Sequence, residues 1–432
     1  MFVFTDVLRK VLEYNKFKVK QVVNITDVGH LTSDADIGDD KMVKGLLREG
    51  KEMTLENMRE LGEKYTKTFL NDLTSLNIDI GQITFPRASA YIPAQIAMVK
   101  TLEEKGYGYP AKTGVYFDTT RFSSYGALGG VNLEAQKAGA RVAVNADKRS
   151  PADFLLWKLD ESIGWESPWG KGFPGWHIEC SAMIRSTLGE QIDIHTGGIE
   201  HIQVHHNNEI AQSEAVTGRY PLSRFWMHRA HIQIEDSKIA KSEGNVVYLS
   251  DIIAKGIHPF ALRYLFLGAH YRTPSNFSWD ALSASEIAFL RLRSLADSLP
   301  KDGISPESYR SRIHQRINDD LDISGALAVI WEMIKDKTLS PSEIRAGLID
   351  ADRVFGLGLD SKDTQATEAC LKRFGVLVEA KNLPPSIKSK IEKRENARAK
   401  RDWQSADDLR NQLAVEGYSL EDTESGTIVY KK

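Results

Sequence analysis

Cysteine is almost missing from this chain: two residues in 432, Cys180 and Cys370, far apart. That excludes a disulfide framework and leaves each thiol needing its own explanation. Cys370, in the helical context "TEACLKRF", is most simply a packed small side chain. No apolar run is long enough to span a bilayer, and the first residues lack the charged, apolar and small-residue regions of a secretory signal. The expectation is a cytoplasmic protein without membrane contact. Neither sign of charge dominates, since 56 Lys and Arg face 59 Asp and Glu, for a formal net charge of −3. Global electrostatics therefore would not draw the molecule onto nucleic acid, and a polyanion partner must be met by a local basic face. Internal repeats and low-complexity tracts are absent as well, and nothing demands more than a monomer.

Histidine, by contrast, is concentrated: nine of eleven lie between His177 and His270, which points to a metal or catalytic centre there. Around that region the patterning alternates. "MFVFTDVLRKVLEYNKF" has Phe4, Val7, Leu8, Val11 and Leu12 at helical spacing, "KVKQVVNIT" reads as a strand, and Lys51 to Leu76 reads as a second helix. This is the rhythm of an α/β fold with a doubly wound parallel sheet. From Tyr91 to about Gly170 short β-like pieces such as "GVYFDTT" and "RVAVNAD" read as an insertion, after which the α/β rhythm returns. Beyond Leu249 the chain is almost wholly helical, consistent with a bundle, and a last unit starts after Pro384-Pro385. Its first helix carries Lys388, Lys390, Lys393, Arg394, Arg398, Lys400 and Arg401, either a solvated face or a dock for RNA phosphate.

The stretch "VHHNNEIAQSEA", residues 204–215, places His205 and Glu209 four apart, hence on one face of a helix. Cys180 lies at the end of "GWHIEC", where a strand or its following turn would bring sulfur toward that helix. Thiolate, imidazole and carboxylate suit zinc, and three protein ligands leave a position open. The pattern is neither HExxH nor HxxEH, which disfavours a zincin-type protease. The plainer reading is also open: two histidines shielding a helix start, Glu209 complementing its dipole and Cys180 an ordinary buried thiol. A second candidate is "SKIAKSEGN", residues 237–245, where Lys238 and Lys241 sit among small residues before Gly244-Asn245. Such a loop can aim two ammonium groups at a phosphate chain, although it is not a Walker loop and surface lysines are commonly just solvated.

Taken in order, "NITD", "GWHIECSAM", "DIHTGGIEHIQVHHNNEIAQSEA", "FWMH", "KIAKSEGN" and "LRYLFLGAHYRTPSNFSWDAL" resemble cysteinyl-tRNA synthetase, a class I aminoacyl-tRNA synthetase. "ARAKRDWQSADDLRNQL" and "LEDTESGTIVY" are similar to that family's terminal domain. The resemblance implies a Rossmann-type catalytic domain in two halves, 1–90 and 171–249, around a connective insertion, 91–170. A stem-contact region and helical bundle, 250–383, and a small anticodon-binding unit, 384–432, would follow. It implies ATP-dependent activation of cysteine to cysteinyl-adenylate, with Mg2+, and transfer to tRNA(Cys). It also implies one zinc ion gripping the substrate thiolate through Cys180, His205 and Glu209, with Thr26, Trp176 and His195 near the amino-acid pocket. "KIAKS" stands for the family's KMSKS signature, so Lys238 and Lys241 become the ATP-binding and catalytic lysines, Lys241 the stronger phosphate contact.

The family's first strand, first zinc-ligand cysteine and HIGH motif would precede residue 1, and "GHLT" at 29–32 does not replace them. The expectation is a sequence short of its first few dozen residues, leaving strand edges unpaired and supporting negligible cysteine-dependent pyrophosphate exchange. The acidic insert "GHLTSDADIG" has no assigned role. Two other readings are a non-catalytic paralogue that binds tRNA, which loss of HIGH would produce, and a ligase joining cysteine to an amino-sugar, which has no use for an anticodon unit.

Overall fold

The computed structural model describes residues 1–27, 41–130, 147–175, 177–234, 237–238, 246–363, 368, 376–378, 382–423 and 426–431. The acidic insert, most of "RVAVNAD", Trp176, Lys241 and Cys370 lie outside these residues, as does most of the "SKIAKSEGN" loop. The chain forms two compact units. Met1, Lys18–Thr74 and Asp79–His231 make the first, while Phe2–Phe17, Ser75–Ile78 and Ile232–Lys432 make the second.

The opening apolar stripe forms a helix, α1 (Phe2–Tyr14), that buries Val3, Phe4, Val7 and Val11 and belongs to the second unit. In the first unit β1 (Gln21–Val22) is followed by α2 (Lys41–Arg48), α3 (Leu55–Ser75) and β2 (Ile83–Thr84). β1 and β2 pair in parallel, extended by a bridge between Ile25 and Arg87. Helix α4 (Ile92–Glu104), with Pro93 in its first turn, leads into an antiparallel sheet of β3 (Gly108–Ala111), β4 (Gly114–Phe117), β5 (Phe154–Leu159) and β6 (Gly172–Pro174). Then come α5 (Ile178–Thr187), β7 (Ile192–Gly198), α6 (His205–Thr217) and β8 (Ser223–Arg229), with β7 and β8 parallel. The α/β expectation therefore holds, but among the described residues of the first unit the parallel strands come as two separate pairs rather than one sheet.

One apolar cluster joins the antiparallel sheet to the helices: Met98, Val99 and Leu102 of α4, Phe117, Phe154 and Trp157 of the strands, Ile178 and Met183 of α5, and Ala211 and Ala215 of α6. At about 25 cal/mol per Å² of apolar area removed from water, side chains of this size each contribute on the order of 2 kcal/mol. The histidine helix thus rests on a packed support.

The second unit continues with β9 (Ile232–Ile234), β10 (Ser237–Lys238), α7 (Leu249–Ala254), α8 (Pro259–Leu267) and β11 (Ser275–Phe277), β9 being central in a three-stranded sheet. Helices α9 (Trp279–Ser298), α10 (Glu307–Asn318), α11 (Ile323–Lys335) and α12 (Pro341–Phe355) match the predicted bundle. Their ends follow from sequence: Ser278 caps α9, Asp322 caps α11, and Ser340 with Glu343 forms a reciprocal capping box on α12, which stops at Gly356 with φ 64°. The terminal segment holds β12 (Val376–Leu377), α13 (Pro385–Ala399), α14 (Trp403–Val415) and the hairpin β13 (Tyr418–Thr423) and β14 (Gly426–Lys431), around Ile387, Ile391, Leu413 and Val429. Arg394 is buried and so leaves the predicted basic face of α13. No described helix is long and apolar enough to cross a membrane.

Candidate metal centre

Cys180 does not lie on a strand or turn, as its sequence context suggested, but in the first turn of α5. The residue before that helix, His177, takes a left-handed backbone with φ 64° and is buried. Its ring stands 3.9 Å, centroid to centroid, from that of His205. A non-glycine residue in this conformation is uncommon and persists where its surroundings over-determine it. Here α5 is tied to α6 by a hydrogen bond from Ser181 Oγ to Gln212 Oε1, 2.6 Å. α6 is fixed at both ends. Lys105 Nζ donates to the Ala215 and Val216 carbonyls at its C-terminus, and the Asn207 amide reaches the Ile202 and Leu128 carbonyls near its start.

On that support the donors of Cys180, His205 and Glu209 fall within 4.8 Å of one another. His205 Nε2 is 3.3 Å from Glu209 Oε1, as expected for residues four apart on a helix. Glu209 is fully buried, and its Oε1 makes no hydrogen bond of normal geometry among the described residues. Its Oε2 meets His195 Nε2, from β7, at 2.7 Å. Burial pushes the Glu209 carboxyl up, but His195 and His205 together outweigh it and hold the group well below the usual carboxylate range. Burial, followed by the nearby Glu179 and Glu209 carboxylates, pushes the Cys180 thiol well above its ordinary value. A bound cation would satisfy Oε1 and stabilise the thiolate, and a sulfur, nitrogen and oxygen donor set is one that zinc accepts.

Thr26 is exposed, and its hydroxyl accepts from Asn24 Nδ2 at 3.2 Å. The same amide lies 3.6 Å from Cys180 Sγ, so "NITD" is joined to the thiol through a residue that spacing alone did not single out. Thr26, Cys180, His195, His205 and Glu209 all belong to the first unit. Lys238 has its backbone in β10 of the second, and Lys241 and Trp176 fall outside the described residues.

Sequence reading gave His206 only the role of shielding the helix start and passed over His228 and Gly197, although the crowding of histidines was a signal for His228. His206 is buried, and its Nδ1 meets His228 Nε2 at 2.8 Å. Burial lowers its pKa to about 2, so this imidazole is neutral in the ordinary pH range. A Cβ placed on Gly197 of β7 would come within 2.5 Å of His206 Cε1 and 2.7 Å of His201 Nδ1. Gly197→Ala is therefore expected to push the His206 ring out of place and weaken zinc binding by roughly 10- to 100-fold, as losing a supporting group does. Competition with a zinc-sensitive dye would measure it, and unchanged affinity would show that the close approach is unimportant.

Comparison with known proteins bears on the whole chain. Residues 1–286 match the family model described as tRNA synthetases class I (C) catalytic domain. Cysteine–tRNA ligase 1 of Burkholderia lata is 41% identical over 431 residues, covering 98% of this chain and 87% of the relative. The cysteine–tRNA ligase of Treponema denticola is 37% identical, covering 100% and 91%, and one from Thermus thermophilus is 39% identical, covering 98% and 88%. Among solved structures, methionyl-tRNA synthetase of Mycobacterium tuberculosis with bound methionyl-adenylate superposes with a TM-score of 0.55 at 13% identity over 84% of this chain and 88% of that one, a likeness of fold. With matches of this extent and identity over nearly its full length, the chain belongs to the cysteine–tRNA ligase family of class I aminoacyl-tRNA synthetases.

Proposed function

We propose that this protein is a cysteine–tRNA ligase that recognises its amino acid through zinc held by Cys180, His205 and Glu209. The observation that carries the reading is the convergence of these three donors within 4.8 Å around a buried carboxylate oxygen left without a normal hydrogen bond. In the reaction so assigned, the cysteine carboxylate attacks the α-phosphate of ATP and pyrophosphate leaves. A hydroxyl of the terminal ribose of tRNA(Cys) then takes the acyl group and AMP leaves. Bound zinc supplies a Lewis acid that favours thiolate over thiol and sulfur over the hydroxyl of serine.

The chain's own residues do the rest. His195 holds Glu209 Oε2 by the 2.7 Å contact and so fixes which carboxylate oxygen faces Cys180 and His205. Asn24 bridges Thr26 to the thiol, placing a hydroxyl beside the amino-acid pocket. Lys238 and Lys241 stabilise charge on the leaving pyrophosphate, with Mg2+ on the ATP. Lys393, exposed on α13, meets the tRNA backbone within the five-part organisation read from the sequence.

Selectivity explains the metal. Rejecting serine by about 10⁴–10⁵ takes about 5.5–7 kcal/mol, whereas an apolar pocket separates near-isosteres by about 1–3 kcal/mol. The test is equilibrium dialysis of labelled cysteine and serine against the full chain, before and after chelation. Cysteine is expected to bind, serine not, and chelation to abolish the difference. Equal binding of the two amino acids by zinc-loaded protein would refute the proposal.

A further inference from the structure

The consecutive side chains of His270, Tyr271 and Arg272 converge on one residue of the bundle, Asp320. His270 Nε2 donates to the Asp320 carbonyl at 2.8 Å and the Tyr271 hydroxyl to Asp320 Oδ1 at 2.6 Å. Arg272 forks onto the same carboxylate through Nε at 2.7 Å and Nη2 at 3.2 Å. We propose that Asp320 is a positioning residue for cysteine activation: by clamping the turn between α8 and β11 it sets where β9 and β10 hold the backbone of Lys238. The inference rests on the reading of Lys238 as a phosphate contact, and every residue in it belongs to the second unit.

The path is short and continuous. Residues 268–274 join α8 to β11, so fixing them fixes where β11 begins. β11 pairs in parallel with β9, Asn276 opposite Gln233, and on its other side Gln233 faces Lys238 of β10. A single strand therefore separates the clamped strand from that of the lysine, and energetic coupling is carried by contiguous contacts of this kind. Packing holds part of the sheet, since Ile234 and Phe277 lie in an apolar cluster with Ala261 and Leu282. Beside it, a cavity of about 250 Å³, with Ile232, Tyr264, Gly268 and Asn276 in its lining, leaves β9 and β11 without close packing. The clamp supplies what packing omits there.

The backbone at Asp320 points the same way. In the corner between α10 and α11, Asp320 and Leu321 take φ of 49° and 58°, a left-handed pair without glycine that persists where its surroundings over-determine it. Burial raises the Asp320 carboxyl, but hydrogen bonds from Arg272 and Tyr271 outweigh it and hold the group below the usual carboxylate range. The clamp is thus charged at neutral pH. Yet the Asp320 side chain is 43% exposed and that of Arg272 65%, and exposed ion pairs contribute little to stability. The arrangement fixes a location rather than strengthening the fold.

Asp320→Gly separates these roles, because glycine keeps the left-handed backbone without strain and removes the carboxylate. Hydrogen exchange read by mass spectrometry, together with titration of a fluorescent ATP analogue into the full-length protein, is the test. Asp320→Gly is expected to exchange the amides of β9 and β10 at least ~10-fold faster and to bind the nucleotide ~10-fold more weakly, since a displacement of ~1 Å remote from the chemistry can cost ~100-fold. Its urea midpoint, and exchange in α6, should stay as in the unmodified protein. Asp320→Asn keeps an acceptor oxygen and tolerates the left-handed region, so it should recover most of the protection. Unchanged exchange in β9 and β10 would overturn the proposal, as would faster exchange spread evenly through the second unit with a lowered urea midpoint. Failure of the unmodified protein to bind nucleotide counts against the reading of Lys238, while the exchange data still decide the role of Asp320.

Discussion

Replacing Cys180 by alanine is expected to reduce the preference for cysteine over serine from about 10⁴–10⁵ to the 10- to 200-fold that a near-isosteric pocket supplies. The reason lies in the division of labour at the site. His205 and Glu209 are two donors of one helix and can still hold an ion weakly, but the sulfur from α5 gives the set its softness and completes the three-point grip. Cys180 is buried and close to Glu179 and Glu209, so without a metal its thiol stays protonated and is inert. Isothermal titration of both amino acids into zinc-loaded wild-type and variant protein measures the effect. A variant that keeps the full preference would show that the pocket walls, and not the metal, read the side chain.

The second large effect is on stability. Asp6 of α1 is completely buried and joins two buried guanidinium groups, Arg263 Nη2 at 2.5 Å and Arg9 Nη2 at 2.8 Å. Arg263 also donates to the carbonyls of Phe355 at 2.6 Å and Leu76 at 2.9 Å, so the cation is fixed from three sides. Asp6→Ala would leave both cations without their shared anion, and breaking a buried pair in this way costs about 3–5 kcal/mol. The nearby pair of Arg9 with Glu13, 41% exposed, is the internal control: Glu13→Ala should change stability by less than ~1 kcal/mol. Urea unfolding followed by circular dichroism separates the two. Equal and small shifts would mean that the buried network is not a major stabiliser of the second unit.

Helical periodicity was the most legible signal. The stripe of Phe4, Val7 and Val11 became α1, and the spacing of His205 and Glu209 became two donors on one face. The strands were harder to read. "KVKQVVNIT" promised a full strand but yields two paired residues and one bridge, because a strand is defined by its partners and periodicity within one segment does not supply them. The helical placement of Cys180 was missed for a similar reason. "GWHIEC" is a short apolar run, and whether it is strand or helix was decided by packing on α4 and α6 through Ile178 and Met183. Asn24, His228 and Gly197 act through contacts distant in sequence, so their roles appear only once the chain is folded.

In the proposed recognition, an ion held by Cys180 would take the sulfur of the incoming amino acid as a further ligand. Cobalt(II)-substituted full-length protein reports this directly, since each bound thiolate adds a near-ultraviolet charge-transfer band. Addition of cysteine is expected to about double that band, from one thiolate to two, while serine leaves it unchanged. A band that does not respond to saturating cysteine would contradict the account.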